Sequence, residues 1–351
     1  MSLINCTSKT IVLIPHNRPT LGLEEEAAAL RVIRSGWVAK GKEVELFENE
    51  FCEFMGLPKG HAAAVSSGTA ALFLALVMLG GSGKNVGSPG YVCSALRNAV
   101  DMSEGKNVLV DVGHNSPNID LVKLSEENPQ IAIVPHMFGI PINISNLKKI
   151  PIIEDCAHAL GARVNGKPVG LEGEFGIFSF YATKMITSGG FGGMLISKNK
   201  KLVDEVIDYV EYDRKNDDNR RFNFQMGDLQ AAIGREQLRK LPNFLARREK
   251  IFTKYKDAGV DILDVSPEDS QILQPVRYRA LMKTKNQVKT IESLKNYGII
   301  TEILNDEWVL SQNPTKFPNS LNMVQNTISL PIYPSLSDEN VEKIISVLQN
   351  C

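Results

Sequence analysis

The chain has 351 residues, of which 43% are hydrophobic and 23% charged. This is an ordinary globular composition, long enough for about two domains and for a core that needs no staples. With 39 basic and 40 acidic residues the formal net charge is −1, which gives no electrostatic reason to expect nucleic acid or an anionic membrane as partner. The five cysteines (Cys6, Cys52, Cys93, Cys156 and Cys351) are odd in number, scattered and free of CxxC pairs. Neither a structural zinc site nor a disulfide framework is expected, and a reduced compartment, the cytoplasm, fits best. The apolar stretch Ile11–Ile14 is too short for a signal segment and is stopped by Pro15. No run of about 18 apolar residues predicts a membrane span.

In chain order, helical periodicity predicts Leu23–Ser35, with Leu30, Val32 and Ile33 spaced between charges, and then the amphipathic segment Val44–Met55. Ser67-Gly68-Thr69 opens an apolar helix that runs to about Leu79. Short apolar runs then alternate with helical stretches. Asn107–Val112, Ile131–Val134 and Pro151–Glu154 read as buried strands, with helices at Ser94–Met102 and Asp120–Glu126 between them. Phe175–Phe180 and Gly193–Ser197 read as further strands, followed by helix Leu202–Val210. This alternation predicts an α/β fold with a mostly parallel sheet. After a helix at Gly227–Leu241, a charged helix at Ala246–Ala258 leads out of the large domain. Strand Leu273–Ala280, helix Gln287–Tyr297, strand Ile299–Leu304 and helix Glu339–Leu348 suit a smaller α+β domain. The expected division is 1–245 and 246–351, with the N-terminal segment free to pack elsewhere.

Three segments carry chemistry. Asp155 follows a buried apolar run and is expected at a strand's carboxyl end, where open α/β sheets bind ligands. Taken alone it would more readily cap the next turn. Lys184 lies between the aromatic strand and the glycine-rich Gly189-Gly190-Phe191-Gly192-Gly193, beside backbone that a ligand can approach closely. A partly desolvated lysine can form a Schiff base. Ser66-Ser67-Gly68-Thr69 at a helix start offers free N–H groups and the positive end of a helix dipole to a phosphate, although a simple Ser cap is the blander reading. A phosphate cradle, a carboxylate and an amine are together the three groups that a pyridoxal phosphate site requires.

At these segments the chain resembles the DegT/DnrJ/StrS family of sugar aminotransferases. The matching segments, in order, are Ser35-Gly36-Trp37, Ser66 to Leu72, Pro135-His136-Met137-Phe138-Gly139, Glu154 to Ala162, Phe178 to Lys184, Asn223 to Ala232 and Leu330-Pro331-Ile332-Tyr333-Pro334. The resemblance implies a fold-type I (aspartate aminotransferase-like) large domain with a smaller α+β C-terminal domain, and pyridoxal 5'-phosphate as cofactor. It implies that Lys184 forms the Schiff base and shuttles the proton, that Asp155 pairs with the pyridine nitrogen, and that His158 sits beside the ring and its phenolic oxygen. Gly68, Thr69 and Ser179 match phosphate positions. Asn223 matches a residue that reaches the phosphate from a partner subunit, which implies a homodimer with shared sites. The implied reaction moves an amino group from an amino acid, glutamate by analogy, to a keto sugar, nucleotide-linked and destined for cell-surface polysaccharide.

Some positions depart from the family. Cys93 stands where many members carry an aromatic that stacks on the cofactor, with Tyr91 as an alternative. The glycine run after the lysine is one residue longer and lacks its carboxylate. Gln225 replaces a basic residue, and the histidine-containing segment of the C-terminal domain is not recognisable in Leu304–Pro318. Two rival readings stay open. One is another pyridoxal phosphate activity such as a lyase or dehydratase, although retention of Lys184 argues against the family's dehydratase branch. The other is a cofactor-bound regulatory protein. No metal is expected: His61, His114 and His136 lie apart, with no carboxylate or cysteine at ligand spacing. Trp37 suits an interface or the core, and the charged stretch 213–221 a mobile loop or a substrate entrance.

Overall fold

The computed structural model describes residues 3–6, 9–147, 149–305 and 307–350. Its centre is a seven-stranded sheet. In chain order its strands are β1 (Ala62–Val65), β2 (Asn85–Pro89), β3 (Lys106–Val110), β4 (Ile131–Pro135), β5 (Ile152–Asp155), β6 (Phe175–Ser179) and β7 (Gly193–Ile196). Across the sheet they run β1-β7-β6-β5-β4-β2-β3. Only β7 is antiparallel to its neighbours. Strands covered on both faces become continuous apolar runs, because alternate side chains feed different cores. Ala63 and Val65 of β1 enter one cluster, with Leu74, Phe175 and Ile177. Ala62 and Ala64 enter the other, with Phe47, Phe51 and Phe178.

The helices preceding and crossing the sheet are α1 (Leu23–Ser35), α2 (Lys42–Met55), α3 (Gly68–Met78), α4 (Ala95–Met102), α5 (Leu121–Glu127), α6 (Lys200–Val210) and α7 (Asp228–Asp257). Because β1, β2, β4, β5 and β6 run the same way, the turns that follow them all emerge at one edge of the sheet. α1 packs on α7 through Ala28 and Val32. Leu30 and Ile33 therefore face outward, and Ile33 is 57% exposed.

Two expectations need correction. The sequence suggests two helices over 227–258, yet α7 is continuous, with Pro242 inside it. An interior proline costs about 3 kcal/mol. The buried run Leu238, Leu241, Phe244, Arg248, Ile251, Phe252 and Tyr255 continues on both sides of it and supplies the packing that offsets this cost. The other concerns the expected strands Leu273–Ala280 and Ile299–Leu304. Leu273–Gln274 pairs with Arg163–Val164, whereas Ala280–Lys283 pairs with Thr327–Leu330. Residues 275–279 between them belong to neither ladder, and Pro275 has no N–H to contribute. Residues 299–304 make only the isolated bridges Ile14↔Ile299 and Glu302↔Ser329.

A third cluster joins the end of α7 (Ile251, Phe252, Tyr255) to Ala280, Ile328, Leu330 and Ile344, and it takes in Ile14 from the N-terminal segment. Among the described residues no helix is long and apolar enough to cross a membrane.

Candidate active site

A cavity of about 380 Å³ opens at the carboxyl edge of the sheet. Its lining includes Ser67, Gly68, Thr69, Cys93, Asp155, His158, Ser179, Tyr181, Lys184 and Phe191. Seven sequence-predicted residues (Gly68, Thr69, Cys93, Asp155, His158, Ser179 and Lys184) thus meet on one surface.

Each side of the cavity has a local cause. Ser67 is extended and accepts a hydrogen bond from the Ala70 N–H at 3.1 Å, which starts α3 there. The N–H groups of Gly68 and Thr69, in the first turn, have no intrahelical acceptor. A Cβ on Gly68 would lie 2.8 Å from Ser179 Cβ, and one on Gly193 would lie 2.5 Å from the Ser67 carbonyl carbon. The helix start can therefore reach the ends of β6 and β7 only because both positions are glycine.

Asp155 ends β5, and its side chain is buried. Oδ1 accepts from the Ala157 N–H at 2.9 Å. Burial pushes its pKa above the usual carboxylate value, outweighing the Ala157 N–H and the Lys184 and His136 charges. Lys184 sits in the turn after β6, with its N–H donating to Tyr181 O at 2.9 Å. Asn17, from the N-terminal segment, pins the same turn by donating Nδ2–H to Thr183 O at 3.0 Å. The Lys184 Nζ lies 5.3 Å from the centre of the Tyr278 ring.

His158 is stacked between two rings, with Phe138 at 5.8 Å and Tyr278 at 4.4 Å. Burial, then the Lys184 and Arg279 charges, push its pKa well below the ordinary value. The imidazole is neutral, and its Nδ1 accepts from the Phe138 N–H at 3.4 Å. In that tautomer the proton is on Nε2.

Two predicted residues fall elsewhere. Asn223 is exposed and outside this cavity, its Oδ1 accepting from the Gln225 N–H at 3.4 Å. Tyr91, the alternative to Cys93, is fully buried against Phe138, with ring centres 5.9 Å apart. Tyr278, stacked on His158 and close to Lys184, was missed. The alternation Arg277-Tyr278-Arg279 inside an apolar stretch was the available signal. Of the histidines set aside, His61 bonds to Ser197 O at 2.8 Å. His136 donates to Glu154 at 3.0 Å. Although His136, Glu154 and Cys156 converge, Glu154 is already saturated by the N–H groups of Gly170, Glu172 and Gly173.

Residues 19–349 match the model of the DegT/DnrJ/EryC1/StrS aminotransferase family. The chain belongs to this family. The Bacillus subtilis spore coat polysaccharide biosynthesis protein SpsC is 30% identical, with 96% of each chain covered. Among solved structures, the aminotransferase TlmJ from Streptoalloteichus hindustanus superimposes with a TM-score of 0.89 at 25% identity, covering 97% of this chain and 98% of its own. Spr1654 from Streptococcus pneumoniae, solved in its pyridoxamine phosphate form, gives a TM-score of 0.89 at 23% identity with 97% of each chain covered. The fold is fold-type I, and the enzyme is a pyridoxal phosphate-dependent aminotransferase. The side chains fit that cofactor. A buried carboxylate short of hydrogen bonds suits a ring-nitrogen cation, a lysine amine suits an aldehyde, and a helix start with two free N–H groups suits a phosphate.

Proposed function

We propose that this aminotransferase moves an amino group from glutamate to a nucleotide-linked keto sugar, within the cytoplasm and as a homodimer. The observation that carries the reading is the meeting of Lys184, Asp155 and the α3 N-terminus on one cavity. Its 30% identity to a polysaccharide biosynthesis protein points to a sugar acceptor. Cys52, Cys93 and Cys156 are free thiols, in keeping with a reducing compartment. Leu23, Ile33, Trp37 and Val38 leave an apolar stretch exposed on and after α1, which suits burial against a second copy. In that arrangement Asn223 would serve the phosphate of the partner's site. We assign residues 1–245 to the large domain and 246–351 to the small one, with the N-terminal segment joining the C-terminal core through Ile14.

Pyridoxal phosphate, when bound, supplies an aldehyde that carries the amino group and a ring that withdraws electrons. Gly68, Thr69 and Ser179 hold the phosphate, through the helix N–H groups and a hydroxyl. Asp155 would hold a proton at the ring nitrogen: burial is what raises its pKa, and a cation bonded to its carboxylate would favour the charged form. Lys184 presents the amine that anchors the aldehyde, and it then carries the proton to and from the donor's α-carbon. Neutral His158 packs beside the ring and can donate from Nε2, because Nδ1 is already taken. Cys93 lines the same cavity and offers a small polarizable surface.

The test is a half-reaction. Glutamate added to the purified holoenzyme should yield 2-oxoglutarate and the pyridoxamine form, and a panel of nucleotide-linked keto sugars should then reverse the change. Lys184→Ala should lose about a thousandfold or more in rate. An unchanged rate in that variant removes the reading.

A further inference from the structure

Lys184 stands between two cavities. One is the candidate active site. The other, of about 10 Å³, lies behind the lysine and is lined by Asn17, Thr20, Gln237 and Arg248 among others. The turn that carries Lys184 holds itself in part: the Ala182 N–H donates to Gly190 O at 2.9 Å and the Ser188 N–H to Phe180 O at 3.0 Å. The peptide unit between Thr183 and Lys184 is planar, with one donor and one acceptor to satisfy. Its N–H donates within the turn, to Tyr181 O at 2.9 Å. Its carbonyl accepts from Asn17 Nδ2 at 3.0 Å, across 166 positions of sequence. Both polar ends of the unit are bonded, so the backbone entering Lys184 is tied down and mainly side-chain torsions are left to the amine.

Asn17 can act as a tether because the segment around it is itself anchored on both sides. Before it, the Ile14 N–H donates to Gly298 O at 2.8 Å, and Ile14 O accepts from the Ile300 N–H at 3.0 Å. Buried His16 bonds to Ser329 Oγ at 2.8 Å through Nε2, and its Nδ1 lies 3.0 Å from Glu302. After it, Thr20 O accepts from Gln237 Nε2 at 2.9 Å, and the same Gln237 accepts the Thr187 N–H at 3.4 Å through Oε1. Pro15 and Pro19 fix φ on either side of Asn17. Residues 14–20 therefore form a strap from the C-terminal core to the lysine turn. Only an amide nitrogen can face a carbonyl oxygen, so the Asn17 side chain has one orientation there.

We propose that Asn17 is a positioning residue for Lys184: by holding the Thr183 carbonyl it sets where the reactive amine stands. Asn17 lines the rear cavity and not the front one, so it acts through the turn rather than on the reacting atoms. The inference rests on the assignment of Lys184 given above.

The experiment compares wild-type holoenzyme with Asn17→Leu, which keeps the bulk of the side chain but not the donor, and Asn17→Gln, which keeps the donor. Asn17 carries no charge, so Asn17→Leu leaves in place Asp155, His158 and Tyr278, the titratable groups on which the Lys184 charge acts. The cofactor's absorption is titrated against pH, and the glutamate half-reaction is followed in parallel. Asn17→Leu should move the midpoint of the spectral titration by about half a pH unit or more. It should slow the limiting rate by about tenfold, with the KM for glutamate nearly unchanged. Asn17→Gln should recover part of both effects. Should Asn17→Leu fail to fold, Asn17→Ala, which is too small to clash, takes its place with the same expectations. The midpoint needs no turnover, so it decides the proposal whatever the amino donor is. An unmoved midpoint overturns the proposal, even where the melting temperature falls. Borohydride reduction followed by peptide mapping separates the two readings. Cofactor fixed to a residue other than Lys184 removes the Lys184 assignment and this proposal with it, whereas cofactor on Lys184 with an unmoved midpoint removes this proposal alone.

Discussion

Glu154 and Asp155 are neighbours on β5, and their carboxylates meet opposite fates. Strand geometry sends them to opposite faces of the sheet. Glu154 accepts three backbone N–H bonds and one from His136, and these hold its pKa below the usual value despite burial. Asp155 accepts one, from Ala157, and its pKa is raised. The first carboxylate is finished and ties the β4–β5 rim to the loop at 170–173. The second is unfinished, and it faces the cavity. An acid that the fold has saturated is scaffold, whereas an acid left short of partners is waiting for one.

Exchanging each acid for its amide tests this contrast most strongly. Asp155→Asn should fold at least as well as wild type and lose roughly a hundred- to a thousandfold in the glutamate half-reaction. Glu154→Gln should do the reverse, losing about 3 kcal/mol of stability in urea unfolding while the KM for glutamate holds. Equal effects on rate and stability in both variants would dissolve the distinction.

A smaller effect is expected where the sheet edge meets α3. Gly68→Ala places a methyl 2.8 Å from Ser179 Cβ, so the helix start must back away. Overpacking of this kind costs about 1–3 kcal/mol, and it should be read as weaker pyridoxal phosphate retention on dialysis. Retention equal to wild type would show that the contact does not set the cradle.

The smallest effect concerns the C-terminal wall. His16 is buried beside Arg279, and burial and that charge lower its pKa from 6.5 to about 3 even though the half-exposed Glu302 carboxylate lies 3.0 Å from its Nδ1. The unfolded chain therefore binds a proton that the folded one does not between those values. Stability falls as pH drops below about 6.5, by about 1.4 kcal/mol per unit at most from this group. His16→Asn should flatten the decline in melting temperature between pH 6.5 and 5. A decline as steep as in wild type would assign it to other groups.

Much of the site could be read before folding, because its chemistry sits at strand ends. A continuous apolar run followed by Asp155, an aromatic run followed by Lys184, and Ser67 before an apolar helix are local patterns, and parallel strands bring their carboxyl ends to one edge. The same locality made the helix bounds legible: α1 is found at Leu23–Ser35, as expected. What depended on distant partners was not legible. The stretch Leu273–Ala280 divides because its two ends find different neighbours, and α7 runs through Pro242 because a long buried stripe compensates for the break.

The sequence by itself determined the family, the cofactor's chemical requirements and most helices of the large domain, since each of these is written in short patterns of residues. Tertiary structure alone decided that Tyr278 stands beside Lys184, more than ninety positions away along the chain. It likewise decided that Glu154 is satisfied and Asp155 is not, because a carboxylate's charge state is set by which donors the fold brings within reach and how far it keeps water away.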